Sequence, residues 1–312
     1  MELFSPSTSD EAVALVASRA PTLPTPSQDR LFARPTLEGS FDRGARRPDL
    51  IWAAREDGQV LGLLGARTMG QGFGLVDLVA LPRSPEAASA VIGAATGWAG
   101  SQEKAEVTFG AAAAERSLDD PGVRAVVDAF AAHGWRVLVT RRHYEFAPTP
   151  GLGEDVPLAA RLDRATESDR DRLEALVLQV LPGSLDVRDR AEVAEHGIDA
   201  AAARFTTELL DADPIDCVRF AMVDGQDAGV VVYRVMPSGT GYVAFVGVAA
   251  AFRGRGLARG LVAAATRELV ADGAHTLVAG TDDDNWPMAR AFASAGWPQS
   301  ESRIDLTLAV GG

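Results

Sequence analysis

The 312 residues contain one cysteine, Cys217, and one lysine, Lys104. A lone cysteine excludes an internal disulfide and any cluster of thiolates around a metal. It opens the strand-like run 217–223, where a small apolar side chain is expected rather than a nucleophile. The four histidines, at 133, 143, 196 and 275, show no pairing at metal-ligand spacing, so no metal is expected. No apolar run approaches the roughly 18 residues that a membrane helix needs, and the opening MELFSPSTSD lacks the basic-then-apolar order of a signal peptide. No membrane partner and a cytoplasmic location are therefore expected. Acids outnumber bases by 43 to 30, for a formal net charge of −13. The excess lies mostly in residues 151–312, with 25 acids against 15 arginines, while residues 1–150 hold 18 acids against 15 basic residues. Such a balance disfavours nucleic acid as a partner and attracts cationic molecules.

What is present is concentrated in the run Val246-Gly247-Val248-Ala249-Ala250-Ala251-Phe252-Arg253-Gly254-Arg255-Gly256-Leu257-Ala258. A β-like stretch passes through a glycine-spaced basic turn into an amphipathic helix. Gly254 and Gly256 let the backbone turn tightly and bring successive N–H groups toward an anion. A helix from Leu257 adds unpaired donors and the positive end of its dipole at the same place. Two nucleotide motifs fail on residues: the dinucleotide fingerprint needs a glycine where Arg259 stands, and the P-loop needs a lysine beside its glycine.

Arg253-x-x-Gly256-x-Ala258 resembles the pyrophosphate signature Gln/Arg-x-x-Gly-x-Gly/Ala of the GNAT family of acyl-CoA-dependent N-acyltransferases. A second segment agrees. After the strand-like run 275–280, Asn285, Met288, Phe292, Gly296 and Trp297 fall in order on the family pattern N-x-x-A-x-x-x-Y-x-x-x-G-F. Met288, Ala291, Phe292 and Ala295 share one helical face, with Gly296 as its C-terminal cap. Asn285 reads equally as a helix cap or, by the resemblance, as an acyl-CoA contact. Asp282-Asp283-Asp284 before it reads as acids favoured at a helix N-terminus or as an amine-binding cluster.

The chain also repeats itself. Strand-like runs at 217–223, 228–236 and 241–248 precede the signature, and runs at 50–55, 60–67 and 73–81 occur in the same order earlier. Phe130 to Gly134-Trp135 matches Phe292 to Gly296-Trp297, which points to duplication. The earlier copy has Pro82-Arg83-Ser84-Pro85 in place of the glycine turn and Val123 in place of Asn285. The segments 147–157 and 21–26 are dense in turn formers and read as a linker and a solvated loop.

The resemblance implies an α/β (α+β) fold of two tandem GNAT domains, each a mixed, mostly antiparallel central sheet flanked by helices. Residues 1–148 form a degenerate N-terminal domain, 149–157 a linker, and 158–312 the acyl-CoA-binding domain. The layout is similar to that of mycothiol synthases. Implied further are acetyl-CoA as cosubstrate, a small primary amine as acceptor, and a monomer or homodimer. Val246, Gly247, Val248, Arg253, Gly254, Arg255, Gly256, Leu257, Ala258 and Asn285 would hold the donor, with a strand bulge near Val246–Val248. The family's thiolate-protonating tyrosine is Phe292 here, so another proton donor is required: Tyr242, Tyr233 and His275 are candidates. A catalytically silent acyl-CoA-binding module is the competing reading.

Overall fold

A computed structural model describes residues 1–70 and 72–308. Two compact units emerge, Met1–Thr140 together with Glu301–Leu308, and Arg141–Ser300. The first contains β1 (Glu2–Phe4), α1 (Ser9–Ala17), α2 (Pro26–Phe32), α3 (Arg34–Asp42), β2 (Ile51–Glu56), β3 (Gln59–Met69), β4 (Phe73–Ala80), α4 (Pro85–Ala99), β5 (Lys104–Ala112), α5 (Pro121–Ala131) and the start of β6 (Trp135–Phe146). The second contains the end of β6, then β7 (Arg161–Arg164), α6 (Arg170–Val180), α7 (Val187–His196), α8 (Ile198–Ala212), β8 (Val218–Val223), β9 (Gln226–Val235), β10 (Thr240–Val248), α9 (Leu257–Ala271), β11 (Thr276–Asp282) and α10 (Trp286–Ser294). The last described strand, β12 (Glu301–Leu308), returns to the first unit.

Each unit is built on a mixed, mostly antiparallel sheet. The strand order is β1-β2-β3-β4-β5-β12 in the first and β6-β11-β10-β9-β8-β7 in the second. Each sheet holds one parallel contact, β4 with β5 and β10 with β11, formed across a helical crossover. Strand β12 pairs antiparallel with β5 from Glu301 opposite Ala112 to Thr307 opposite Glu106. Its Ile304 and Leu306 are buried in the first unit's core. Boundaries at 148 and 158 place this strand in the C-terminal domain; its apolar alternation instead completes the core that β5 leaves open. The turn-rich segment after β6 is likewise no loose linker, because Arg267 of α9 donates to the carbonyls of Gly153 and Val156 at 2.6 and 3.2 Å.

The two Gly-Trp landmarks perform the same structural task. The indole of Trp135 donates to Thr96 Oγ1 of α4 at 2.8 Å, and the indole of Trp297 donates to Thr266 Oγ1 of α9, also at 2.8 Å. Both indoles lie against the phenylalanine five residues upstream, Phe130 and Phe292. The same aromatic-to-threonine bond thus recurs at matching positions of both units. Thr266 is fully buried and its hydroxyl also donates to Val262 O. Thr266→Val therefore leaves the Trp297 N–H without an acceptor and is expected to cost about 1–3 kcal/mol. Thr96→Val, at a partly buried bond, is expected to cost less; denaturant unfolding of the two variants checks the order.

Candidate functional site

The parallel contact between β10 and β11 is short. Thr240, Gly241 and Tyr242 pair with Thr276, Leu277 and Val278, and there the ladder ends. Strand β11 turns its other edge to β6, from Leu277 opposite Phe146 to Asp282 opposite Arg141. Strand β10 continues to Val248 paired only with β9. The irregularity that aids this parting lies between Val243 and Phe245, earlier along the strand than the bulge expected near Val246–Val248. It places Ala244 and Phe245 together in the core formed by α6 and α8, while Val246 and Val248 pack in the core formed by α9 and α10. A cavity of about 990 Å³ occupies the opening. The described residues that line it belong to the second unit and include members of both cores.

One end of the cavity is the signature turn. Gly254 and Gly256 both take left-handed conformations, φ 75° and 77°, which an L side chain adopts only at a cost. Gly256 caps α9 without a side chain, so the first turn of a 15-residue helix keeps its N–H donors unclaimed by a cap. Val246, Gly247, Val248, Arg253, Gly254, Gly256, Leu257, Ala258 and Asn285 all line the cavity, as does Tyr242. Arg255 does not; its guanidinium lies over the Phe252 ring and donates to Ala251 O at 3.1 Å. Asn285 caps α10, its Oδ1 accepting from Met288 N at 3.3 Å. Phe292 lines the cavity with its ring stacked on Tyr144, centroids 4.6 Å apart.

Two of the three proposed proton donors stand outside. Tyr233 is buried, donates to Glu268 and lies under Arg219. Burial and the Glu268 carboxylate push its hydroxyl far above the usual phenol range. His275 is exposed and bonds Ser238 O at 3.0 Å. Only Tyr242 of the three reaches the cavity.

The cavity also carries a constellation that no sequence motif flagged. The loop between α6 and α7 brings Ser184 and Asp186, and the first turn of α7 brings Asp189; all three line the cavity. Asp186 caps α7, its Oδ1 accepting from Arg188 N at 2.8 Å and Asp189 N at 3.2 Å. Ser184 Oγ donates to Asp189 Oδ2 at 2.6 Å. Burial pushes the Asp189 carboxyl up to about 6; the Ser184 hydrogen bond opposes this, neighbouring Asp186 and Asp282 add to it, and Arg141 opposes it. Asp282 is buried, ties down the start of α7 by accepting from Val187 N at 2.8 Å, and meets Arg141 Nε at 3.0 Å. Asp282 thus has a structural task, and none of the three consecutive acids 282–284 lines the cavity. The legible signal for Asp189 was Asp186 followed three residues later by a second acid, a helix-start pattern.

In the first unit the corresponding opening is filled. The β4–β5 ladder ends at Val76 opposite Val107. Past it, Thr22 N donates to Val79 O at 2.9 Å and Leu81 N donates to Thr22 Oγ1 at 2.7 Å. Thr25 is buried and caps α2, and a Cβ on Gly110 of β5 would stand 2.8 Å from its Oγ1. The segment 21–26, read from sequence as a loose loop, is an ordered plug. Helix α4 differs from α9 too, with Ser84 capping it and Pro85 at its first position.

The second unit thus combines a sheet whose one parallel pair splays around a cavity with a glycine turn that feeds a helix at the cavity's mouth. Residues 185–297 match the acetyltransferase (GNAT) family, and this part of the chain is a GNAT domain. No curated protein matches the sequence. Among solved structures, a GCN5-related N-acetyltransferase from Sphaerobacter thermophilus superposes with a TM-score of 0.62 at 13% identity, covering 98% of this chain and 94% of that one. A tandem GNAT protein from the clavulanic acid biosynthesis pathway gives 0.53 at 18% identity over 100% of both chains. At such identities the likeness is one of fold, and it spans the whole chain. Among the described residues no helix is long and apolar enough to cross a membrane.

Gly110→Val drives a side chain into the plug and is expected to lower the stability of the first unit by about 1–3 kcal/mol. Thermal unfolding checks this, and a neutral outcome contradicts the plug.

Proposed function

We propose that the second unit is an N-acetyltransferase that moves an acetyl group from acetyl-CoA to a small primary amine by direct attack. The observation that carries the reading is that one cavity is lined by the uncapped start of α9, by the parted strands β10 and β11, and by Asp189 on α7. The donor's pyrophosphate meets the N–H groups of α9 and the turn at Gly254 and Gly256, and Arg259 adds charge from the first turn. The pantetheine arm pairs with the free edge of β10 at Val246–Val248. A main-chain N–H in that stretch polarises the thioester carbonyl.

Asp189 takes the proton of the attacking amine. Its pKa of about 6 suits a base that is ionised at neutral pH yet holds a proton better than an exposed aspartate. As the C–N bond forms and the C–S bond breaks, Tyr242 protonates the departing thiolate, replacing the phenol that Phe292 lacks. The plugged opening of the first unit and its capped α4 support one donor site per chain.

The test is calorimetry with acetyl-CoA, followed by CoA release with a panel running from ethanolamine and glucosamine to tyramine and spermidine. One site per chain and turnover with at least one amine are expected. One site without turnover on any amine favours the silent binding module, and no binding rejects both readings.

With an active amine, kcat is expected to rise with pH through about 6 and then level, because the base works only as carboxylate. Asp189→Asn is expected to lower kcat by about 10²-fold or more. The same change should raise stability. The folded pKa of Asp189 lies above its unfolded value, so ionisation costs stability as pH rises from about 4 to 6, and the full penalty stands at pH 7.5. Removing the charge is expected to return on the order of 1–3 kcal/mol at pH 7.5 and nothing at pH 4. Tyr242→Phe is expected to lower kcat by about tenfold to a hundredfold with little change in donor affinity; an unchanged kcat assigns the protonation to water.

A further inference from the structure

Arg253 is the first residue of the signature, and its charge invites assignment to the donor's phosphates. Its hydrogen bonds point elsewhere. Nε donates to Val248 O at 3.1 Å, Nη1 to Pro182 O at 2.7 Å and Gly183 O at 3.3 Å, and Nη2 to Val180 O at 2.5 Å. Val180 is the last residue of α6, where orphaned carbonyls and the negative end of the helix dipole attract a cation. The planar five-donor fork of a guanidinium is what lets one side chain serve four carbonyls. Gly183 is shaped for the contact. It is left-handed, φ 68°, and a Cβ there would stand 3.1 Å from Arg253 Nη1.

We infer that Arg253 is a positioning residue for the acceptor end of the cavity: it clamps the loop after α6 to the signature turn and, through Ser184, fixes Asp189. The chain of contact is short. Ser184 follows the clamped Gly183 directly, receives Asp186 N at 3.2 Å, and donates to Asp189 at 2.6 Å. The groups facing Asp189 are Ser184 and Asp186 of the loop, Asp282 of β11 and Arg141 of β6. A phosphate at Arg253 would have to compete with these four carbonyls for the guanidinium. The inference rests on the acetyl-transfer reading of this cavity and goes beyond it, since it joins the turn at one end of the site to the base at the other.

Three variants decide it: Arg253→Ala, Arg253→Lys and Gly183→Ala. The measurements are the Kd of acetyl-CoA and of pantetheine, which lacks the phosphates, and the steady-state constants for an amine active with the wild type. For all three, the acetyl-CoA Kd is expected within about threefold of wild type, while kcat/KM for the amine falls about tenfold or more, the scale on which small misplacements near the reacting atoms act. Lysine, with three donors on one nitrogen, is expected to restore only part of the alanine loss. The pH midpoint of kcat is expected to move below that of wild type as Asp189 relaxes toward water, a change that mere loss of stability does not produce. The inference is overturned if acetyl-CoA binding weakens tenfold or more while pantetheine binding holds, or if the amine's kcat/KM and the pH midpoint are unchanged. If Arg253→Ala does not fold, Gly183→Ala decides between these outcomes, because it keeps the arginine and removes its seat. A wild type that neither binds acetyl-CoA nor turns over fails the underlying reading instead.

Discussion

The parting of β10 from β11 is the constraint on which the rest of the second unit depends. A parallel pair normally satisfies backbone groups along both strands, and this one does so for three residues before separating. Strand β11 finds its next partner in β6. The freed edge of β10 has none among the described residues of the sheet, and such an edge in a protein interior calls for a ligand, water or another segment of chain. The bulge between Val243 and Phe245 steers the strand apart and distributes its side chains between two cores. Residues of both cores line one cavity, so the glycine turn and the buried carboxylate share it as a result of sheet geometry.

The first unit meets the same constraint differently. It keeps the parallel pair, the crossover helix and the Trp-to-Thr bond, but Thr22 takes the hydrogen bonds that the opening leaves on offer. The two units therefore share a scaffold while their openings differ, one a cavity and the other satisfied from within. Regaining a ligand there would require expelling the plug as well as rebuilding the glycine turn.

Much of this was legible in sequence. The strand runs, the helix from Leu257, the Gly-Trp landmarks and the glycine turn carry local signals of periodicity and turn chemistry, and all fall on matching elements. The acceptor end was not, because Ser184 and Asp189 acquire meaning only when the loop after α6 is folded against β11 and β6. The role of Arg253 is hidden for a related reason. A signature arginine looks free in one dimension, and the carbonyls that occupy it lie some seventy residues upstream. Tyr233 and His275 fail as donors on burial and position, neither of which a strand-like run discloses. The exchange of β12 is hidden as well, since an alternating strand names no partner.

That exchange bears on how the chain comes to fold during synthesis. Domains emerging from the ribosome generally fold in order, the first before the second. Here β12 follows the whole of the second unit in the chain, so one edge of β5 lacks this partner until the second unit has been made. The short antiparallel run 301–307 then closes that edge last. The sheet begun first is thus held open longest, and β12 acts as its latch.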